Sequence, residues 1–264
     1  MDAPPKFSPQ PFEPVTVAGH RLEYYWTRPP TAGETALIFL HEGLGSAGLW
    51  RDFPAAVATA TGYPALVYSR YGYGGSDVLT EQRGVDYMHR EALEVLPALR
   101  AELGIEAPIL VGHSDGASIA LIHTGAGKWP VRALALEAAH VFVEDISVAG
   151  IETAKAVYAA TDLPQKLARH HADPDKTFFG WNDIWLDPAF RSWNIESCLA
   201  AVECPALVIQ GEDDEYGTLA QVAAIGDQVS GPVETRVLAA CGHSPHRDQP
   251  DQTLDAIARF IKNL

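Results

Sequence analysis

Two periodicities alternate along the chain. Short, mainly apolar runs at residues 36–40, 65–68, 109–111, 133–136, 206–209 and 235–238 are bounded by turn-forming residues, the pattern of strands buried on both faces. Between them, residues 87–103, 117–126, 219–229 and 252–262 carry apolar side chains at helical spacing, and such alternation predicts a parallel sheet covered by helices. Ahead of these, residues 15–17 and 22–26 flank Ala18-Gly19-His20-Arg21 and predict an antiparallel hairpin at the sheet edge. The expected core is therefore a mostly parallel, eight-stranded α/β sheet with helices on both faces. Residues 144–198 break the alternation, being helix-rich, aromatic-rich and longer than an ordinary connection. They are expected to form a helical cap inserted after the sixth strand, leaving 1–143 and 199–264 as the core domain.

Composition narrows the functions that fit. With 47% apolar residues spread along 264 positions, the chain has material for a sizeable core. A formal charge of -15 without any Lys/Arg cluster argues against nucleic acid and against anionic membrane surfaces. The sign of the substrate's charge stays open, because one basic side chain in a pocket outweighs a distant, screened surface. Residues 1–14 hold five prolines and no apolar run of signal-peptide length, so a cytoplasmic protein without membrane insertion is expected. Cys198, Cys204 and Cys241 are odd in number and lack CxxC spacing, which disfavours a disulfide framework and a cysteine zinc site.

The strongest local signal is Ile109-Leu110-Val111-Gly112-His113-Ser114-Asp115-Gly116-Ala117, a buried strand running through G-x-S-x-G into a helix. A sharp strand-to-helix turn crowds the backbone, so glycines at 112 and 116 remove clashing side chains and Ser114 projects above the sheet edge as a candidate nucleophile. The helix N-terminus beneath it offers unpaired N–H groups to a developing oxyanion. A serine hydroxyl needs a base, and the base an orienting acid. Two loops at the carboxyl ends of predicted strands supply candidates in the order acid, then histidine: Gln210-Gly211-Glu212-Asp213-Asp214-Glu215 and Ala240-Cys241-Gly242-His243-Ser244-Pro245-His246.

With these motifs the chain resembles the α/β-hydrolase family over nearly its whole length. His41-Glu42-Gly43-Leu44-Gly45-Ser46 resembles the family's oxyanion loop, and Tyr71-Gly72-Tyr73-Gly74-Gly75-Ser76 its G-x-G-x-S turn. The resemblance implies Asp214 as the acid, three residues past the strand-end glycine, with Asp213 as its rival. It implies His243 as the base, following a glycine, with His246 as the alternative. The N–H groups of Gly43 and Asp115 are the implied oxyanion donors. One departure stands out: Glu42 occupies a position where the family commonly has glycine. A negative φ at Glu42 would accommodate it, as a charge paired with a basic group and bordering the substrate site. Asp115 has two readings, a carboxylate in the first turn of a helix or, by similarity to valacyclovir-hydrolase-like elbows, a holder of a substrate amino group. His243-x-x-His246 with Asp248 invites a metal reading, but no further ligand set accompanies it, so neither metal nor cofactor is expected.

The chemistry implied is cofactor-free acyl transfer, first of all hydrolysis of a carboxylic ester through an acyl-enzyme. Thioesters and carbon-carbon bonds beside a carbonyl are alternatives on the same residues, and a low-turnover binding or receptor-like protein is an alternative of another class. Aromatic residues crowd residues 177–193. Most are expected to pack the cap, while Phe178, Trp181 and Trp185 are candidates to face the cleft and favour an apolar or aromatic acyl compound. The sequence carries no statement of oligomeric state.

Overall fold

A computed structural model describes residues 11–264; the first ten residues of the proline-rich lead lie outside them. Eight strands form one sheet in the order β1-β2-β4-β3-β5-β6-β7-β8. β1 (Glu13–Val17) and β2 (His20–Trp26) pair as an antiparallel hairpin, and β2 pairs antiparallel with β4. The remaining pairings, among β3 (Leu37–Leu40), β4 (Ala65–Tyr68), β5 (Ile109–His113), β6 (Ala133–Glu137), β7 (Ala206–Gly211) and β8 (Val233–Leu238), are all parallel. From β3 to β7 every strand residue is buried, which is why these segments read as unbroken apolar runs rather than as alternation.

Each face of the sheet carries its own helices. Leu110 and Leu136 point to one face, where Met88, Leu96, Ile119 and Ile225 pack; Ile109 and Val111 point to the other, against Phe53, Val57, Ile257 and Ile261. The second face holds a helix absent from the sequence expectation, α1 (Phe53–Thr61). Proline at its start and Gly62 in the left-handed region just past its end are the usual boundary signals. Four alanines between them weaken its amphipathic signature. The expected helix at 87–103 is one continuous rod, α2 (Tyr87–Arg90) passing through a π-type stretch (Glu91–Val95) into α3 (Leu96–Glu102). α4 (Asp115–Gly125) starts two residues before its apolar pattern does.

Between β6 and β7 lie α5 (Asp145–Ala160), α6 (Leu163–Leu167) and α7 (Pro174–Leu186), followed by two 3-10 turns. α5 and α7 are clasped by Asn182 Nδ2 donating to the Ile151 carbonyl at 2.9 Å. An isolated antiparallel bridge between Phe142 and Asn194 brings the two ends of this stretch together. α8 (Leu219–Gln228), α9 (Pro245–Asp248) and α10 (Pro250–Lys262) complete the chain. The connection after β3 leads outward to β4 and the one after β5 leads the other way to β6, so a crevice opens above the carboxyl ends of β3 and β5. Among the described residues, no helix is long and apolar enough to cross a membrane.

Candidate functional site

β5 delivers the chain to that crevice and α4 leads it away, with Ser114 alone between them at φ 53 and ψ -118. The turn is tight enough to exclude side chains on both flanks. A Cβ on Gly112 would stand 2.5 Å from the Gly116 carbonyl, and one on Gly116 would fall on the Leu40 carbonyl. Holding a non-glycine residue in this backbone region costs on the order of 1–3 kcal/mol, and the buried β5 and α4 on either side supply the constraint that maintains it.

Three side chains from three strand ends converge here. His243 Nε2 lies 2.9 Å from Ser114 Oγ, and His243 Nδ1 lies 2.9 Å from both carboxylate oxygens of Asp214. Asp214 is itself gripped: the Tyr216 N–H donates at 2.8 Å, the Gly217 N–H at 3.2 Å and Gln210 Nε2 at 2.6 Å. Burial pushes the Asp214 carboxyl up, but the His243 hydrogen bond and charge, with the Tyr216 N–H, outweigh it and hold the carboxyl below its ordinary value. Asp213 is exposed. His246 turns away, its Nδ1 2.8 Å from Glu137 Oε2 and its ring against Trp50 and Phe53. The two histidines therefore do not converge, and no group of three or more His, Cys, Asp or Glu among the described residues is placed to share a metal ion.

The loop after β3 is held from behind by Arg70, a fully buried residue that the sequence reading passed over. Its Nη2 donates to the carbonyls of His41 at 3.2 Å and Glu42 at 3.0 Å, and its N–H donates to His41 Nε2 at 3.1 Å. In a trans peptide the carbonyl and the next N–H point in opposite directions. Arg70 therefore turns the Gly43 N–H away from itself, and neither the Gly43 nor the Asp115 N–H donates to any acceptor among the described residues. Glu42 has no positive φ, so it fits without strain. Its carboxylate folds back over Gly45 and meets His113 Nδ1 at 3.5 Å and Arg247 Nη2 at 3.3 Å. Burial raises the Glu42 carboxyl and lowers His113, yet their mutual attraction prevails, leaving Glu42 well below and His113 above the ordinary values. His113 also lies 2.6 Å, through Nε2, from the carbonyl of His243.

A cavity of about 110 Å³ opens on Ser114 and His243. Glu42, Gly43 and Leu44 form one wall, His140 and Tyr216 another, and Ser147, Ile151, Trp181 and Trp185 from α5 and α7 close the top. Trp181 presses so near the Gly43 backbone that a Cβ there would coincide with the indole nitrogen. Of the three aromatic candidates, Trp181 and Trp185 line the cavity, whereas Phe178 does not. It is fully buried and stacks on Tyr158 at 3.8 Å between ring centres, because it points from α7 toward α5 rather than down toward the sheet. The Asp115 carboxylate also misses the cavity. Arg70 sits 3.6 Å from its Oδ2, the Tyr87 hydroxyl donates to the same oxygen at 2.8 Å, and Trp185 Nε1 donates to Tyr87 at 3.0 Å. It is a buried counter-ion, which fits the structural one of its two readings rather than a holder of a substrate amine.

Comparison with known proteins agrees with this architecture. Residues 37–256 match the model of a family described as the alpha/beta hydrolase family. Over 87 residues the chain is 30% identical to a proline iminopeptidase of Lactobacillus delbrueckii subsp. lactis, an alignment that covers 33% of this chain and only 30% of the relative. Among solved structures, the 2-hydroxy-6-oxo-6-phenylhexa-2,4-dienoate hydrolase of Rhodococcus sp. strain RHA1 superposes with a TM-score of 0.78 at 16% identity, covering 96% of this chain and all of that one. A thermophilic esterase from Thermogutta terrifontis superposes with a TM-score of 0.73 at 15% identity, covering 96% and 99%.

Proposed function

The chain belongs to the alpha/beta hydrolase family, and on that premise we propose that it is a cofactor-free serine hydrolase cleaving a carboxylic ester through an acyl-enzyme. The observation that carries the reading is the hydrogen-bonded line from Ser114 Oγ through His243 to Asp214. In the first half-reaction Ser114 Oγ attacks the ester carbonyl while His243 Nε2 takes the hydroxyl proton. Asp214 holds the imidazole in the required tautomer and stabilises the imidazolium. The oxyanion forms against the N–H groups of Gly43 and Asp115, and its collapse expels the alcohol, which receives the proton from His243. A water molecule then repeats the sequence on the acyl-enzyme and releases the acid. Residues 144–198 act as a cap, with Trp181 and Trp185 excluding bulk water from the reacting centre.

The lining of the cavity favours an uncharged ester over the substrates of the relatives. An amino-terminal peptide brings an ammonium group, and both nearby carboxylates are already engaged: Asp115 by Arg70 and Tyr87, Glu42 by His113 and Arg247. A dienoate brings a carboxylate, and among the described residues neither Lys nor Arg lines the cavity. At about 110 Å³ the space is smaller than the dry cavity of about 150 Å³ that holds benzene in other proteins, which favours a short apolar acyl group over an aromatic one. The test is labelling by a fluorophosphonate probe together with hydrolysis of short aryl esters. Labelling and turnover are expected in the native chain, with both lost in Ser114→Ala. A native chain that neither reacts nor turns over would indicate a binding protein instead.

A further inference from the structure

Beyond the catalytic line, one polar group in the cavity has no work in the mechanism. His140 follows β6, where the chain turns at Ala138 with φ 48. Its backbone is pinned on both sides: the Ser118 hydroxyl donates to the His140 carbonyl at 2.6 Å, and the Val141 N–H donates to Gln221 Oε1 at 2.7 Å. The ring therefore stands on a rigid support, 3% exposed, edge-on to Trp185 and 5.5 Å from the His243 ring. Neither ring nitrogen makes a hydrogen bond within the described residues, and Nδ1 is sealed from solvent.

The contrast with the other buried histidines is sharp. His41, His123 and His171 each engage both ring nitrogens, His113 is tied through Nε2 and His246 through Nδ1. Burial, with the charge of His243 adding to it, pushes the His140 imidazole down to about 3, so the ring stays neutral. In either tautomer a neutral ring presents one N–H donor and one acceptor nitrogen. A buried ring nitrogen left unmatched is a standing cost, and a site that presents an unpaired nitrogen discriminates against ligands unable to satisfy it.

Resting on the serine-hydrolase reading, we propose that His140 is a specificity-determining residue whose uncharged imidazole receives a hydroxyl or carbonyl group of the substrate. The remaining wall, Leu44, Ile151, Trp181 and Trp185, accepts the hydrocarbon part. A neutral ring gives no counter-charge to a carboxylate, and the neighbouring Asp214 repels one. The preferred substrate is thus an oxygen-bearing but uncharged ester.

The test compares kcat/KM for matched probes. On the acyl side these are the 4-nitrophenyl esters of butyric, 2-hydroxybutyric, 3-hydroxybutyric and 3-oxobutyric acids; on the alcohol side, propyl and 2-hydroxyethyl butyrate. The native enzyme is expected to prefer at least one oxygenated probe over its plain partner by about tenfold or more. His140→Phe should bring that ratio close to one, and His140→Gln, which keeps a donor and an acceptor, should retain part of it. Should His140→Phe not fold, His140→Asn serves instead, its shorter amide being withdrawn from the cavity. No preference in the native enzyme, or a preference unchanged in the foldable variant, overturns the inference. Fluorophosphonate labelling of Ser114 separates the failures: labelling without preference sinks only the role of His140, while no labelling and no turnover sinks the hydrolase reading beneath it.

Discussion

Acidification should unfold this protein well above the pH at which carboxylates titrate, because its buried histidines are built to be neutral. His123 Nε2 faces Arg100 Nη1 at 2.7 Å and His171 Nδ1 accepts the Gly74 N–H at 3.0 Å, so each uses a lone pair that a proton would occupy. Burial pushes His123 and His171 down to about 4, and His140 to about 3. The unfolded chain binds a proton at each near the ordinary value of about 6.5, so below that pH it holds more protons than the native state and stability falls with pH. Each group contributes about 1.4 kcal/mol per pH unit once well below about 6.5, until its folded value is reached. Integrated over the three, the loss from about pH 6.5 to about pH 5 is roughly 5 kcal/mol, comparable to the whole stability of many domains. His113 works in the other sense: its raised value gives stability that is complete below about 6.5 and lost only as pH rises through the folded value, so it does not offset the slope. Urea unfolding at a series of pH values would measure the slope, which His171→Gln should reduce by about 1.4 kcal/mol per pH unit. A stability that is flat or rising from about pH 6.5 down to about pH 5 would refute the reasoning.

Three further outcomes follow from the site. Asp214→Asn should lower kcat by about 10⁴-fold while leaving KM for short esters nearly unchanged, since an amide at the His243 ring favours the wrong tautomer; steady-state kinetics on 4-nitrophenyl butyrate checks it. Arg70→Met should lower kcat by about 10²-fold by freeing the Glu42 and His41 carbonyls, and should lower stability by about 3–5 kcal/mol because Asp115 is left buried and unpaired; an unchanged kcat in folded protein would contradict its positioning role. Trp181→Ala should raise the benzoyl-to-butyryl ratio of kcat/KM by about tenfold through the enlarged roof, at about 3–5 kcal/mol of stability by thermal unfolding.

The central strands β3 to β7 were legible because the sheet is buried on both faces there, and such burial leaves a contiguous apolar run. Where that condition fails the signal thins. β8 has only Leu238 buried, and the apolar run at 235–238 begins two residues after the strand does. α1 went unread because Ala55, Ala56 and Ala58 give little contrast between its faces. Ser114, Asp214 and His243 each follow the carboxyl end of a strand, and close backbone contacts demand the glycines at 112, 116 and 211 that mark the first two of these loops.

What surrounds those three residues was not readable, and the reason is distance along the chain. His113 meets the carbonyl of a residue 130 positions away, and Arg247 meets Glu42 across 205; no local pattern announces such pairs. Glu42 shows the consequence. Taken alone it is a departure from glycine that threatens the oxyanion loop, yet its side chain leaves the cavity to join His113 and Arg247 behind the wall. The same His113 fills the variable position of the G-x-S-x-G turn, so the basic group expected beside Glu42 is one that no spacing names, and the pair joins the turn at Ser114 to the loop after β3. The signal for Arg70 was present but unread: a lone arginine directly after a buried strand and before a glycine-rich turn has nowhere to place its charge except among backbone carbonyls and a buried acid. A motif therefore locates the candidate side chains, while the groups that hold them in register emerge only when the sheet brings distant loops together.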